Sequence, residues 1–138
     1  MAKAPKPYEP TDVTFKMKPT DVNIQAAAEL AGPAVRKLLD ALVDATGPLA
    51  ELAAQETPPT PEQLVAAVAT LRAAELDVLP KLEYAVLGVA VLGGAPVVAT
   101  ARDIRVRPQT LNENLRRTRA VGRGRAMTKL ADGFWMNA

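Results

Sequence analysis

The positions of proline set the strongest limit on what this chain can fold into. A proline fixes its own backbone angle and has no N–H to donate, so it interrupts helices and central strands alike. The 138 residues include 12 prolines, and Pro5, Pro7, Pro10 and Pro19 all fall in the lysine-containing segment 1–19. We therefore expect residues 1–19 to form an extended basic arm rather than a helix.

Beyond this arm, the composition and spacing of apolar residues predict helices. Apolar residues make up 49% of the sequence but aromatic residues only 4%. Alanine, valine and leucine must therefore supply most of the packing, which favours close contacts between helices. Residues 20–56 have apolar positions at helical spacing, interrupted by the pairs Gly32-Pro33 and Gly47-Pro48. We expect a helical segment that is broken at both pairs.

A short linker, residues 57–60, follows that helical segment. Thr60 and Gln63 then have the spacing of a capping box, which marks the start of a new helix. The apolar residues that follow predict one long helical region, residues 61–101, with a kink at Pro80. The expected fold class is all-α, with two or three amphipathic helices kinked at proline and with extended N- and C-terminal arms.

Residues 84–101 form a run of eighteen positions without a charged side chain. Such a run reaches the lower length limit of a membrane span, and the arginines that follow it suit a cytoplasmic flank. Against a span, Gly88, Gly93, Gly94 and Pro96 weaken a straight helix, and a buried core or a subunit interface explains the same run. The sequence leaves both interpretations open.

The charged residues divide the chain into three regions. Residues 1–18 carry four bases and two acids, residues 19–101 four bases and ten acids, and residues 102–138 nine bases and three acids. The net charges of the three regions are therefore +2, −6 and +6. An acidic, apolar middle between basic ends favours surfaces that contact partners over a single chemical centre.

The C-terminal region, residues 102–138, is predicted to be an Arg-rich arm that makes two kinds of contact. Phe134 and Trp135 near its end are interpreted as a hydrophobic anchor that docks into a pocket, on this chain or on a neighbour. Its bases are candidates for binding a partner protein or phosphate groups, because arginine pairs bidentately with carboxylates and phosphates. These candidates are Arg102, Arg105, Arg107, Arg116, Arg117, Arg119, Arg123, Arg125 and Lys129.

The commonest catalytic and metal-binding residues are missing from the sequence. It contains no serine, cysteine or histidine. The chain therefore lacks the usual nucleophiles, the side chain best suited to proton transfer near neutral pH, and the nitrogen and sulfur ligands of zinc. The acidic residues are scattered singly along helix-like segments. We expect no enzyme activity, no cofactor and no metal.

Together these patterns predict a structural subunit of a large macromolecular assembly, with a bacteriophage virion as the expected particle. Its helical middle would pack against neighbours, and its basic arms would tie subunits together. The expected partners are copies of itself and other subunits, in the virion or, during assembly, in the host cytoplasm.

Two alternatives stand beside that prediction. One is a single-pass membrane protein, including one in a membrane-containing virus, located in the membrane through residues 84–101. The other is a nucleic-acid packaging protein that binds through the C-terminal arm without sequence specificity, because no aromatic residues lie among the arginines to stack on bases.

Overall fold

The computed structural model of the chain describes residues 14–137. This part of the chain contains five α-helices, two short 3₁₀ turns and one two-stranded β-hairpin, so the predicted all-α class is confirmed in outline. The helices are α1 (Asp21–Ala54), α2 (Pro61–Leu76), α3 (Val78–Leu92), α4 (Val97–Asp103) and α5 (Pro108–Leu115). The 3₁₀ turns are Thr14–Lys16 and Arg119–Gly122. The strands β1 (Met127–Lys129) and β2 (Trp135–Asn137) pair antiparallel, with Thr128 opposite Met136.

Two of the helices begin at capping boxes. At the start of α1, Thr20 Oγ1 accepts a hydrogen bond from the Asn23 N–H at 3.0 Å, and Asn23 Oδ1 accepts one from the Thr20 N–H at 2.9 Å. Thr60 and Gln63 form the same reciprocal pair at the start of α2, which confirms the predicted box. These bonds pair N–H groups that helix geometry leaves without partners, and they fix where each helix begins.

The predicted breaks at the two Gly-Pro pairs are absent, because α1 runs as one helix of 34 residues through Pro33 and Pro48. Each proline removes one hydrogen bond to the carbonyl four residues earlier. Those carbonyls belong to Glu29 and Asp44, which are exposed residues, so water can pair them. The glycine before each proline helps as well, because it lacks the Cβ that would clash with the proline ring in helical geometry.

The predicted helical region over residues 61–101 consists of three helices instead of one. The first break follows Leu76, where the chain leaves helical geometry at Asp77 with a φ of −135°. Its cause is Pro80, which has no N–H to donate to the Leu76 carbonyl and so interrupts the hydrogen bonds that would join α2 to α3.

The uncharged run of residues 84–101 is divided between two helices. α3 ends before Gly94, which adopts a φ of +117°, a value that L side chains rarely adopt. α4 then begins after Pro96. No helix within residues 14–137 has both the length and the apolar character needed to cross a membrane.

Long α1 packs against α2 and α3, so that residues 21–92 form a helical hairpin. The start of α1 lies beside α3, and its second half lies beside α2, as a hairpin connection through the loop of residues 55–60 requires. The C-terminal third, residues 102–137, folds back on α3 through α5 and the 3₁₀ turn Arg119–Gly122. The molecule therefore has a closed end, where the C-terminal third covers the hairpin, and a distal end at the connecting loop.

Two clusters of buried side chains form the core of the closed end. One joins the N-terminal 3₁₀ turn to α3, α4 and α5, and contains Phe15, Val91, Ala101, Leu111, Leu115 and Ala120. The other joins α1 and α3 to the β-hairpin, and contains Ala26, Ala27, Val89, Leu92, Met127 and Trp135. Both clusters draw on the C-terminal third.

These clusters correct the prediction of extended arms. Residues 102–137 are folded, because their apolar side chains, spaced among the arginines, complete the core. Phe15 is buried as well, so the end of the predicted N-terminal arm belongs to the fold. The rest of that predicted arm, residues 1–13, and Ala138 lie outside the described residues.

Asn23 fastens the start of α1 to the C-terminal third. The residue is fully buried. Its Nδ2 donates to the carbonyls of Gly122 at 3.0 Å and Arg125 at 3.2 Å, and its Oδ1 accepts from the Gly124 N–H at 2.7 Å. Asn23 also belongs to the capping box of α1. Its side-chain amide therefore bonds to the backbone at the start of α1 and to the backbone of the C-terminal third at the same time. We call this set of bonds the Asn23 junction.

Arg123 makes a second junction in the same loop. Only 8% of its surface is exposed, and burial lowers the pKa of its guanidinium, which nevertheless stays charged. The guanidinium donates to three backbone carbonyls, those of Met17 at 2.7 Å, Ala95 at 2.7 Å and Val91 at 3.3 Å. These bonds compensate the buried charge and tie the N-terminal turn to the end of α3.

The Asn23 junction predicts a large stability loss in Asn23→Ala. Removal of the amide leaves buried backbone groups unpaired, so the free energy of unfolding should fall by about 3 kcal/mol or more, at about 1–3 kcal/mol for each buried group. The matched control is Asn114→Ala, which removes an exposed hydrogen bond to the Thr110 carbonyl and should change stability by less than about 0.5 kcal/mol. Urea denaturation followed by circular dichroism measures both. Equal stability of the two variants would contradict the assigned role of Asn23.

Candidate functional site

α1 has three sides with different chemistry, as the helical step of about 100° per residue shows. One side is buried against α2 and α3, with Ala27 and Ala45 among its residues. A second carries exposed apolar residues, with Val35, Leu39 and Leu42 along one line. The third carries the charged residues beyond the first turn, which are Glu29, Arg36, Lys37, Asp40, Asp44 and Glu51.

The exposed apolar side of α1 is the first candidate site. Val35, Leu39 and Leu42 are 54%, 48% and 39% exposed. Beside Val35 lies a groove of about 250 Å³ between α1 and α3, lined by alanine, valine and glycine, with Val86 and Ala90 on its α3 wall. We call this surface, Val35, Leu39 and Leu42 together with the groove, the apolar face. The exposed apolar residues Leu64, Val65 and Val68 of α2 add to the apolar surface of the hairpin.

The second candidate site is a pocket of about 650 Å³ between the hairpin and the C-terminal third. Leu30, Ala34 and Lys37 line it from α1, and Ala34 also lines the groove of the apolar face, so the two sites adjoin along that helix. Its lining combines apolar side chains with bases and contains no acidic residue of the described chain. We call it the basic pocket. The residues that give it its chemistry are Lys37, Arg117, Arg119, Phe134, Trp135 and Met136.

One wall of the basic pocket is the β-hairpin, which polar contacts hold in place. Trp135 Nε1 donates to Glu29 Oε2 at 2.7 Å, and Lys129 Nζ pairs with Glu29 Oε1 at 2.8 Å. Arg119 donates to the Trp135 carbonyl at 2.6 Å and lies over the Phe134 ring, 4.7 Å from its centre. These contacts fix the aromatic side chains of the wall relative to α1.

The two residues of the predicted hydrophobic anchor have different positions. Trp135 is 4% exposed and docks against α1 and α3 of its own chain. Phe134 is 53% exposed and lines the basic pocket. The structure thus places one anchor residue in the core and leaves the other at a surface where a partner can reach it.

The nine predicted basic contacts fall into four groups. Arg123 is buried and its guanidinium bonds to its own backbone, so we do not include it among the residues offered to a partner. Arg119 and Lys129 hold the β-hairpin, and Arg117 is exposed at the basic pocket. The remaining candidates are exposed on the C-terminal third, and they are Arg102, Arg105, Arg107, Arg116 and Arg125.

Arg105 has an unusual backbone conformation, with a φ of 62°. It follows the end of α4, where the Val106 N–H donates to the Ala101 carbonyl at 3.0 Å, as in a Schellman motif. Glycine normally occupies this position, and another residue there costs roughly 1 kcal/mol. The helix end accounts for this backbone conformation, and Arg105 stays a predicted contact residue with an exposed side chain.

Sequence reasoning did not identify three residues that shape these sites. Asn23 has a usable signal, because Thr20 and Asn23 have capping-box spacing with asparagine in the place of glutamine. Glu29 and Lys37 have none, because they resemble any other charged residue on an exposed helix side. Their roles depend on the β-hairpin, which packs beside them from the far end of the chain.

Among residues 14–137, no group of three or more acidic side chains is arranged to hold a metal ion. Comparisons with known protein families, curated proteins and solved structures found no match. The functional interpretation therefore depends on the two surfaces.

Acid is predicted to loosen the docking of Trp135. The hydrogen bond from Lys129, and then that from Trp135, hold the pKa of Glu29 below its ordinary value, while desolvation opposes them. Because this pKa is lower in the folded protein than in the unfolded chain, the stability it contributes is present at neutral pH. That contribution is lost as the pH falls through the folded-state value.

Tryptophan fluorescence checks this, since Trp135 is the only tryptophan. Its emission should shift to longer wavelength across the acidic range in which carboxylates titrate. Glu29→Gln, which keeps the shape but not the charge, should shift the emission already at neutral pH and flatten the acid titration. An identical acid titration in wild type and variant would show that Glu29 does not hold the tryptophan.

Proposed function

We propose that this protein is a structural subunit of a large macromolecular assembly, of the kind found in a bacteriophage virion. The apolar face is the observation that carries this proposal. Exposed leucine and valine side chains line one side of α1, while the charged residues beyond the first turn of the same helix are collected on another side. Soluble monomeric proteins rarely expose such contiguous apolar surface, whereas protein interfaces bury it.

The charge distribution supports copies of the same chain as the partners. Residues 38–71 carry five acids and no lysine or arginine, and residues 102–138 carry nine bases and three acids. Opposite charges on two regions of one molecule attract the corresponding regions of a neighbour and favour one orientation of approach. Under this proposal the hairpin packs and the basic C-terminal third ties subunits together, so the protein acts through surfaces, without a cofactor.

Leu39→Glu/Leu42→Glu is predicted to abolish or strongly weaken self-association. Burial of one leucine contributes about 1.5–3 kcal/mol, and each 1.4 kcal/mol is about tenfold in affinity, so the dissociation constant should rise by about a hundredfold or more. Sedimentation velocity over a range of concentrations measures it. Because both side chains are exposed within the chain, the helical circular dichroism signal should stay as in the wild type.

The matched control for that variant is Arg36→Glu. Two leucine-to-glutamate changes add two negative charges, and one arginine-to-glutamate change lowers the net charge by the same amount. Arg36 lies on the charged side of α1, so its variant should associate like the wild type. Equal weakening by both variants would assign the effect to net charge and not to the apolar face.

A second candidate function, nucleic-acid packaging, is favoured by the exposure of Arg102, Arg105 and Arg107 in one short stretch. Binding by such residues should fall steeply with salt, because it releases counterions from phosphates. A filter-binding assay with random-sequence DNA tests it, and absence of binding at about 50 mM salt removes this candidate. The membrane alternative has no comparable observation in its favour, since residues 84–101 are divided between α3 and α4.

A further inference from the structure

We propose that the distal tip of one copy inserts into the basic pocket of the next, so that copies join head to tail. The distal tip is residues 51–62, which comprise the end of α1, the connecting loop and the first residues of α2. This inference rests on the proposed function and adds the residues and the geometry of one contact between copies.

Among the residues that the structure describes, no acidic side chain lines the basic pocket to balance its bases. These bases are Lys37, Arg117 and Arg119. Lys37 and Arg117 are exposed side chains, so an entering group can reach them. The volume of about 650 Å³ lies within the range of about 300–1,000 Å³ common for binding sites. An acidic segment is therefore the occupant that this pocket favours.

The distal tip has the complementary charge. It carries Glu51, Glu56 and Glu62, all exposed, and the nearest bases along the chain are Lys37 on one side and Arg72 on the other. The charged side chains of the tip are all acidic and those that line the pocket are all basic. Electrostatic attraction therefore steers the tip of one copy toward the pocket of another.

The shape of the tip also suits an aromatic pocket. Its loop contains Pro58 and Pro59, followed by Pro61 at the first position of α2. Proline-rich segments dock in aromatic-lined grooves, because their extended backbone is set in advance and loses little conformational entropy on binding. Phe134, which is 53% exposed, supplies the accessible aromatic ring of this lining, and the buried Trp135 lies behind it.

Hydrogen bonds within the tip and to the adjacent Gln63 fix its conformation further. Gln55 Nε2 donates to the Thr57 carbonyl at 3.0 Å, and the side-chain amides of Gln55 and Gln63 lie within 3.3 Å of each other. Thr60 caps α2. A loop already held in one shape pays less entropy when it binds, which favours the tip as an inserted element.

The geometry of α1 requires this contact to join two molecules. Lys37 and Glu51 belong to the same helix, and at 1.5 Å per residue they stand roughly 20 Å apart along its axis. A tip therefore cannot reach the pocket of its own chain. When each tip enters the pocket of the next copy, the contact is heterologous, and its repetition from copy to copy generates rings or open filaments.

Charge reversal at each surface tests the proposal in the full-length chain. The tip variant is Glu51→Lys/Glu56→Lys, and the pocket variant is Lys37→Glu/Arg117→Glu; neither includes Arg119, which holds the β-hairpin. In each variant alone, tip and pocket repel, so self-association measured by sedimentation velocity should weaken by about tenfold or more. An equal mixture of the two should recover association, because each tip then meets a pocket of opposite charge.

The control for the pocket variant is Arg36→Glu/Arg72→Glu, which changes the net charge by the same amount at hairpin positions that do not line the pocket. It should associate like the wild type. If the wild type associates and both charge variants associate equally well, the head-to-tail contact is wrong while the assembly proposal stands. If the wild type remains a single chain at every concentration, both are wrong.

A second measurement does not depend on charge reversal. The chain contains no cysteine, so Glu56→Cys and Lys37→Cys each introduce a unique thiol. When the two variants are mixed with a short thiol-reactive cross-linker, linked pairs should form faster than with either variant alone. Equal rates for the mixture and for each variant would overturn the proposed docking.

Discussion

The hydrogen bonds of Asn23 connect parts of the chain that lie far apart in sequence, and the rest of the closed end depends on them. One amide caps α1 and, at the same time, pairs backbone groups of Gly122, Gly124 and Arg125. Those groups belong to the loop that leads into the β-hairpin. The wall of the basic pocket, with Phe134 and Trp135, is therefore in place because a buried polar residue holds the loop before it.

The general layout of the chain could be predicted from the sequence, because it depends on local signals. Alanine and leucine content indicates packed helices, and Thr60 with Gln63 marks the start of α2. The fold of residues 102–137 could not be predicted in this way. Its arginine-rich sequence resembles a solvated tail, and only contacts such as that of Asn23 with Gly122, 99 positions apart, show that it is folded.

The arginines predicted to contact a partner divide in the same way. The local sequence indicates the position of some of them, whereas the position of others depends on residues far away in the chain. Exposed arginines such as Arg102 and Arg107 lie at the surface, as their charge suggests. Arg123 has the same local sequence character but is buried, because carbonyls of Met17, Val91 and Ala95 converge on its guanidinium. No periodicity reveals such a convergence, since it arises from the ends of separate elements.

The closed end and the helical hairpin differ in what they leave exposed. The buried side chains of Asn23 and Arg123 bond to backbone at the closed end, whereas the helical hairpin leaves leucine and valine side chains in water and an acidic tip far from the basic pocket. Light scattering of the wild-type protein across a wide concentration range tests most directly whether these surfaces serve assembly. If they do, the mass lies well above that of a single chain and rises with concentration; the mass of a single chain at every concentration would contradict a role in assembly.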